Sequence, residues 1–145
     1  MRVPMKVDYG VRALVELASH YGEGSMQSAE IASRQCIPQA YLDQLLTTLH
    51  KYGFISSRRG PTGGHVLAKD PTDINLGMVM SILEGDGKVL DCLIEPNECV
   101  LAHSCAQREV WQSVEDVVQD LLKSITVADL AQRQYSIAQK GSNGI

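Results

Sequence analysis

The sequence predicts a mainly α fold with one small β-hairpin, closed by a long amphipathic helix. Three observations carry this. Apolar residues recur at helical spacing through most of the chain. One Gly/Pro-rich run between two short apolar segments marks a single hairpin. Finally, Val110, Val114, Val117, Val118, Leu121, Leu122 and Ile125 line up as one continuous seam.

The spacing of Val7, Val11, Leu14, Val15 and Ala18 predicts a first helix over 8–21, with Asp8 where a carboxylate suits the helix dipole. The Tyr21-Gly22-Glu23-Gly24 run ends it. A short second helix begins at Ser28, read as its N-cap, with Ala29, Ile31 and Ala32 turned inward. After the Cys36-Ile37 link, Pro38 opens a third helix reaching Tyr52, with Tyr41, Leu42, Leu45, Leu46 and Leu49 as its buried stripe. Gly53 closes it. Strands over 54–58 and 65–68 flank Arg59-Gly60-Pro61-Thr62-Gly63-Gly64, whose glycines and proline suit a hairpin loop. Asn75 caps a helix over 76–84, and an irregular loop from Gly85 to about His103 holds Cys92 and Cys99, with Cys105 just past its end. The long seam helix follows, its Glu115, Asp116, Gln119 and Asp120 expected outward. A short turn over 127–130 and a disordered tail from Gln139 complete the expectation.

Assembled, these elements make a winged helix-turn-helix over 1–70 and a linking helix with a cysteine-bearing sensor loop over 71–104. A dimerisation helix with a short terminal helix over 105–138 and a tail over 139–145 follow. The seam is too long and too one-sided for so small a core, which makes a homodimer the expected assembly.

Charge agrees with a DNA-facing first half. The chain carries −4 overall, but residues 1–70 hold eight Lys/Arg against six acids, and residues 71–145 hold five against eleven. The third helix is then the reading helix. Gln39, Ala40, Asp43, Gln44 and Thr47 are positioned for base edges of double-stranded operator DNA, with Tyr41 and Lys51 and Lys69 on phosphates. Arg58 and Arg59 on the wing suit a narrow minor groove. No apolar run approaches the roughly 20 residues of a membrane helix, and the N-terminus is not a secretory signal, so a cytoplasmic location is expected. No catalytic spacing is found among His20, His50, His65 and His103, nor a CxxC pair, which argues against an enzyme.

Cys92, Cys99 and Cys105 follow a C-x6-C-x5-C pattern in an irregular segment. Three thiolates that can converge suit a soft metal centre, and the spacing suits an iron–sulfur cluster better than a zinc site. A fourth ligand would come from His103, from Asp8 or another carboxylate, or from Cys36, which reads more readily as a small buried hydrophobe.

The sequence resembles the Rrf2 family of winged-helix regulators along nearly its whole length. The resemblance rests on Tyr41-Leu42-Asp43-Gln44-Leu45-Leu46, on the wing from Arg59 to Ala68, on Leu83-Glu84-Gly85 and on the cysteine trio. It implies a homodimer and DNA contacts from Tyr41, Asp43, Gln44 and Arg59. It also implies a [2Fe–2S] or [4Fe–4S] cluster on Cys92, Cys99 and Cys105. IscR-like members add a histidine three residues beyond the last cysteine, where this chain has Arg108; NsrR-like members add an early aspartate from the partner subunit, which Asp8 matches. CymR-like members lack the trio and act in cysteine metabolism without a cluster.

Overall fold

The computed structural model describes residues 2–85 and 91–143, with the side chains of Asp91, Cys92, Glu98 and Asn143 outside the description. Gly87, expected in the cysteine loop, falls outside it as well. The elements run α1 (Met5–Ser19), α2 (Ser28–Gln35), α3 (Gln39–Lys51), β1 (Ile55–Arg58), β2 (Gly64–Leu67), α4 (Leu76–Glu84), α5 (Asp91–Ile94), α6 (Ala106–Ser124) and α7 (Val127–Asn143). Short 3-10 turns cover Pro71–Asp73 and Pro96–Glu98. Among the described residues no helix is long and apolar enough to cross a membrane.

α1 is the hub. Val7, Gly10, Ala13, Leu14, Val15 and Leu17 are all buried on it, and it meets α2, α3, α4, α7 and β2. The α3 stripe of Leu42, Leu45, Leu46 and Leu49 completes the core with Phe54 and Ile55. Burying each such side chain is worth about 1.5–3 kcal/mol, so a helix period with four leucines leaves α3 no choice of face.

The wing is antiparallel, with Ile55 opposite Leu67 and Arg58 opposite Gly64. It is also held from its other side. Met26 exchanges two main-chain hydrogen bonds with His65 (2.9 and 2.7 Å), and the Ser25 hydroxyl donates to the Thr62 carbonyl at 2.6 Å. Gly64, at φ +155°, sits where a side chain would run into the Met26 main chain.

Several expectations need correcting. α7 is a helix of 17 residues, not a short turn, and takes in residues 139–143, which were expected as disordered tail. It begins with a reciprocal cap: Thr126 N–H donates to the Asp129 carboxylate (2.9 Å) and Asp129 N–H to the Thr126 hydroxyl (3.1 Å). Hydrogen bonding by Thr126, its backbone N–H first and then its side chain, holds the Asp129 carboxyl below its ordinary range. The α6–α7 corner is pinned by Leu76 N–H to Ile125 O (2.9 Å) and Val127 N–H to Ile74 O (2.8 Å), which turns α7 back onto α1. Glu115 is buried, not outward, and its carboxylate accepts from Gln119 at 3.1 Å. The segment carrying the cysteines is partly ordered as α5 and a 3-10 turn. Ser28 is the first residue of α2 and not its cap, and Ala29 is exposed.

The α6 seam divides. Val114, Val118, Leu122 and Ile125 are half-buried, and α6 meets α4, whereas Val110, Val117 and Leu121 stay 60%, 67% and 59% exposed.

The support of the wing by Met26 leads to a stability prediction. Gly64→Ala should lower unfolding free energy by about 1–3 kcal/mol through overpacking, read as a shift in urea midpoint; an unchanged midpoint would show the approach is not tight.

Candidate nucleic-acid interface

Because α3 spends one face on its leucines, Gln39, Ala40, Asp43, Gln44 and Thr47 are left exposed on the other. Tyr41, expected in the buried stripe, stands at the margin instead: it is 36% exposed, with its ring edge-on to Tyr9 at 5.5 Å. Gln39 is engaged within the fold, donating to the Ser28 hydroxyl (2.9 Å) and to the Asp43 carboxylate (3.2 Å). Gln44 makes no side-chain hydrogen bond among the described residues. Its amide is therefore available to a base edge at no internal loss.

The cations are exposed and uncommitted. Among the described residues Arg58, Arg59, Lys51 and Lys69 form no ion pair; Lys51 lies over the Tyr52 ring at 5.6 Å and Lys69 over Phe54 at 5.0 Å. β1 ends at Arg58, and Gly63 N–H closes the wing turn on Gly60 O at 2.9 Å, so both arginines project from the wing base.

The helix-turn-helix is braced from below by a buried carboxylate. Glu16 of α1, 6% exposed, accepts from Arg34 (3.2 Å) and Gln35 (2.6 Å) of α2, and Arg34 also reaches Glu30 at 2.8 Å. The turn itself runs through Cys36, which adopts a left-handed φ of +54°. Its thiol is exposed, a correction to the small buried hydrophobe expected there.

His50 of α3 and His65 of β2 are brought together, their Nε2 and Nδ1 atoms 3.0 Å apart, with Ser57 Oγ 3.0 Å from the same His50 nitrogen. Burial, then the neighbouring His50, lowers the His65 pKa from the ordinary 6.5, and Asp43 partly opposes this. Sequence spacing offered no signal for this pair, because it depends on the hairpin register.

The cysteine segment carries thiol donors, of which Cys99 and Cys105 are described and the side chain of Cys92 is not. Cys99 and Cys105 are free thiols of intermediate exposure, and a cavity beside Cys105 is lined by Ala102, His103, Ser104, Arg108 and Glu109. Among the described residues no group of three His, Cys, Asp or Glu is set to hold a metal ion. Asp8 is held by its own subunit: Arg12 donates to both carboxylate oxygens, at 3.0 and 3.1 Å, and reaches on to the Gln35 carbonyl at 3.2 Å.

The family described as Rrf2, iron-dependent transcriptional regulator, matches residues 3–133 of this architecture. The chain belongs to the Rrf2 family. It is 33% identical over 153 aligned residues to the HTH-type transcriptional regulator IscR of Pectobacterium carotovorum subsp. carotovorum (strain PC1), covering 99% of this chain and 93% of that one. To the HTH-type transcriptional regulator CymR of Bacillus subtilis (strain 168) it is 35% identical over 131 residues, covering 90% of each. The structure of T. potens IscR superposes with a TM-score of 0.77 at 35% identity, over 92% of this chain and 88% of that chain. The Rrf2 fold is thus the winged helix-turn-helix expected from the sequence, and its members are transcriptional regulators, not enzymes.

The Glu16 brace can be tested directly. Arg34→Met leaves the buried Glu16 carboxylate with Gln35 and, at 3.8 Å, His20, and because Arg34 is half exposed the loss should be about 1–2 kcal/mol, measured by chemical denaturation. No loss would mean that solvent screens the pair completely.

Proposed function

We propose that the protein is a dimeric DNA-binding transcription regulator whose cysteine segment controls operator affinity through an iron–sulfur cluster. The observation that carries the DNA reading is the exposed face of α3 beside a wing whose two exposed arginines form no ion pair among the described residues. Gln39, Asp43 and Gln44 are the base-reading side chains, Gln44 the freest of them. Tyr41, Lys51, Arg58 and Arg59 bind phosphate or the minor groove. The exposed Val110, Val117 and Leu121 edge of α6 supports pairing with a second copy, which would present two reading surfaces to an operator of approximate two-fold symmetry.

The residues that would hold the cluster are Cys92, Cys99 and Cys105, with Asp8 of the partner subunit as fourth ligand. A bound [2Fe–2S] or [4Fe–4S] cluster supplies a centre sensitive to iron supply, redox state or nitric oxide. For Asp8 to serve, a carboxylate oxygen now bonded to Arg12 would have to turn to the cluster, loosening the guanidinium, which itself bonds the carbonyl of Gln35 next to the helix-turn-helix turn. Ligation of Asp8 would therefore reach the DNA-binding helices through Arg12.

A second reading, a cluster-free regulator of the CymR type acting in cysteine or sulfur metabolism, draws on the likeness to CymR, which at 35% identity is as near to this chain as IscR is.

Two outcomes follow. Lys51→Ala should weaken binding to all duplexes alike and reduce the slope of log K against log salt by about 1; a loss confined to one sequence would make Lys51 a base reader. Anaerobically reconstituted protein should be coloured and contain iron and sulfide, with the colour lost in Cys92→Ser. Colourless, iron-free protein that still binds DNA sets the cluster aside in favour of the second reading.

A further inference from the structure

The hydrogen bonds around His50 are the only side-chain hydrogen bonds joining α3 to the wing among the described residues. The two rings are 5.2 Å apart between centroids and tilted by 56°, and both residues are half-buried. At 3.0 Å the facing nitrogens, Nε2 of His50 and Nδ1 of His65, must share one proton. With the pair neutral, or carrying a single positive charge, one nitrogen donates and the other accepts. With both rings protonated two N–H groups point at each other, and the contact has to open.

We propose that His50 and His65 form a proton-sensitive latch that sets the wing against the reading helix, so that sequence-specific DNA binding falls when both rings are protonated. The inference rests on the DNA-binding reading above and adds a regulation of that same surface. The two histidines are positioning residues: they act through Arg58, Arg59 and Gln44 and need touch no DNA.

The surroundings define the window. α3 contributes Asp43, two turns before His50 on the same face, and Lys51 beside it; β1 contributes neutral Ser57 and then Arg58. Met26 meets His65 on its other edge through main-chain atoms. Of these charges Asp43 favours the protonated His65, while burial and His50 disfavour it more strongly. His65 therefore binds fewer protons folded than unfolded just below pH 6.5. What the neutral ring contributes is whole above that pH and is lost as the pH falls through the lower folded value. Added positive charge acts the opposite way on non-specific phosphate binding, which strengthens with acidity. The ratio of specific to non-specific affinity isolates the latch from that background.

The test takes the tightest-binding genomic fragment selected with the full chain near neutral pH and a random-sequence duplex of equal length. Between about pH 7.5 and about pH 5.5 the affinity ratio of the unmodified protein should fall about tenfold. In His65→Gln and, separately, His50→Gln, which keep a polar side chain without the titration, the ratio should hold within about twofold. Ring nitrogen NMR of the unmodified protein should show two coupled titration steps. A constant ratio in the unmodified protein, an equal fall in both variants, or two independent titrations near the ordinary value overturns the latch alone. Absence of DNA binding by every variant at the higher pH overturns the reading of the surface and the latch with it.

Discussion

Nearly the whole circumference of α1 is covered, and the rest of the molecule is arranged by that constraint. Ala13 and Leu14 are fully buried, and Gly10 leaves room for Leu83 of α4 where a larger residue would collide. α2, α3, α4 and the returning α7 all pack against α1. The one charged group buried on α1, Glu16, is bonded to Arg34 and Gln35, so the polar exception is itself what ties α2 to the hub.

From this hub the outward surface follows by subtraction. Four leucines of α3 face the core, which leaves Asp43, Gln44 and Thr47 facing solvent. The hairpin is joined to α3 through the histidine pair and to Met26 through main-chain hydrogen bonds, which sets the base of the wing beside α3. A reading surface needs such rigidity, since base contacts discriminate only when the backbone contacts hold register.

What the sequence made legible is what depends on local periodicity. The α3 stripe, the Asn75 cap and the Gly-rich wing were each visible because a neighbour within a few residues decides them; Asn75 does accept from Met78 N–H at 2.9 Å. α7 was missed because beyond Val127, Leu130 and Ala131 it carries few apolar anchors, and its stability comes from packing on α1. The Thr126-Val127-Ala128-Asp129 capping box was the signal that could have found it. Glu115 was misplaced because a helical wheel orders residues by hydrophobicity and does not know where α4 lies. Cys36 was misplaced for a related reason: average cysteine burial says nothing about a turn that requires a left-handed residue at that point. In the candidate site, the polar face of α3 and the wing arginines were readable. The Arg12 grip on Asp8 and the His50–His65 contact were not, since both depend on side-chain geometry that spacing alone does not encode.

The partition of the chain's charge and the split seam of α6 bear on the proposed function, in which a weakly basic half would meet DNA and an acidic half would pair with a second copy. Two linked reading surfaces impose symmetry on the DNA they select. The most direct measurement is therefore selection of sequences from a random duplex pool by the full chain, followed by footprinting of the winner. The account predicts an inverted repeat with two protected half-sites, spaced by about one helical turn or a multiple of it. An enriched site with a single asymmetric footprint, or no enriched sequence at all, would contradict it.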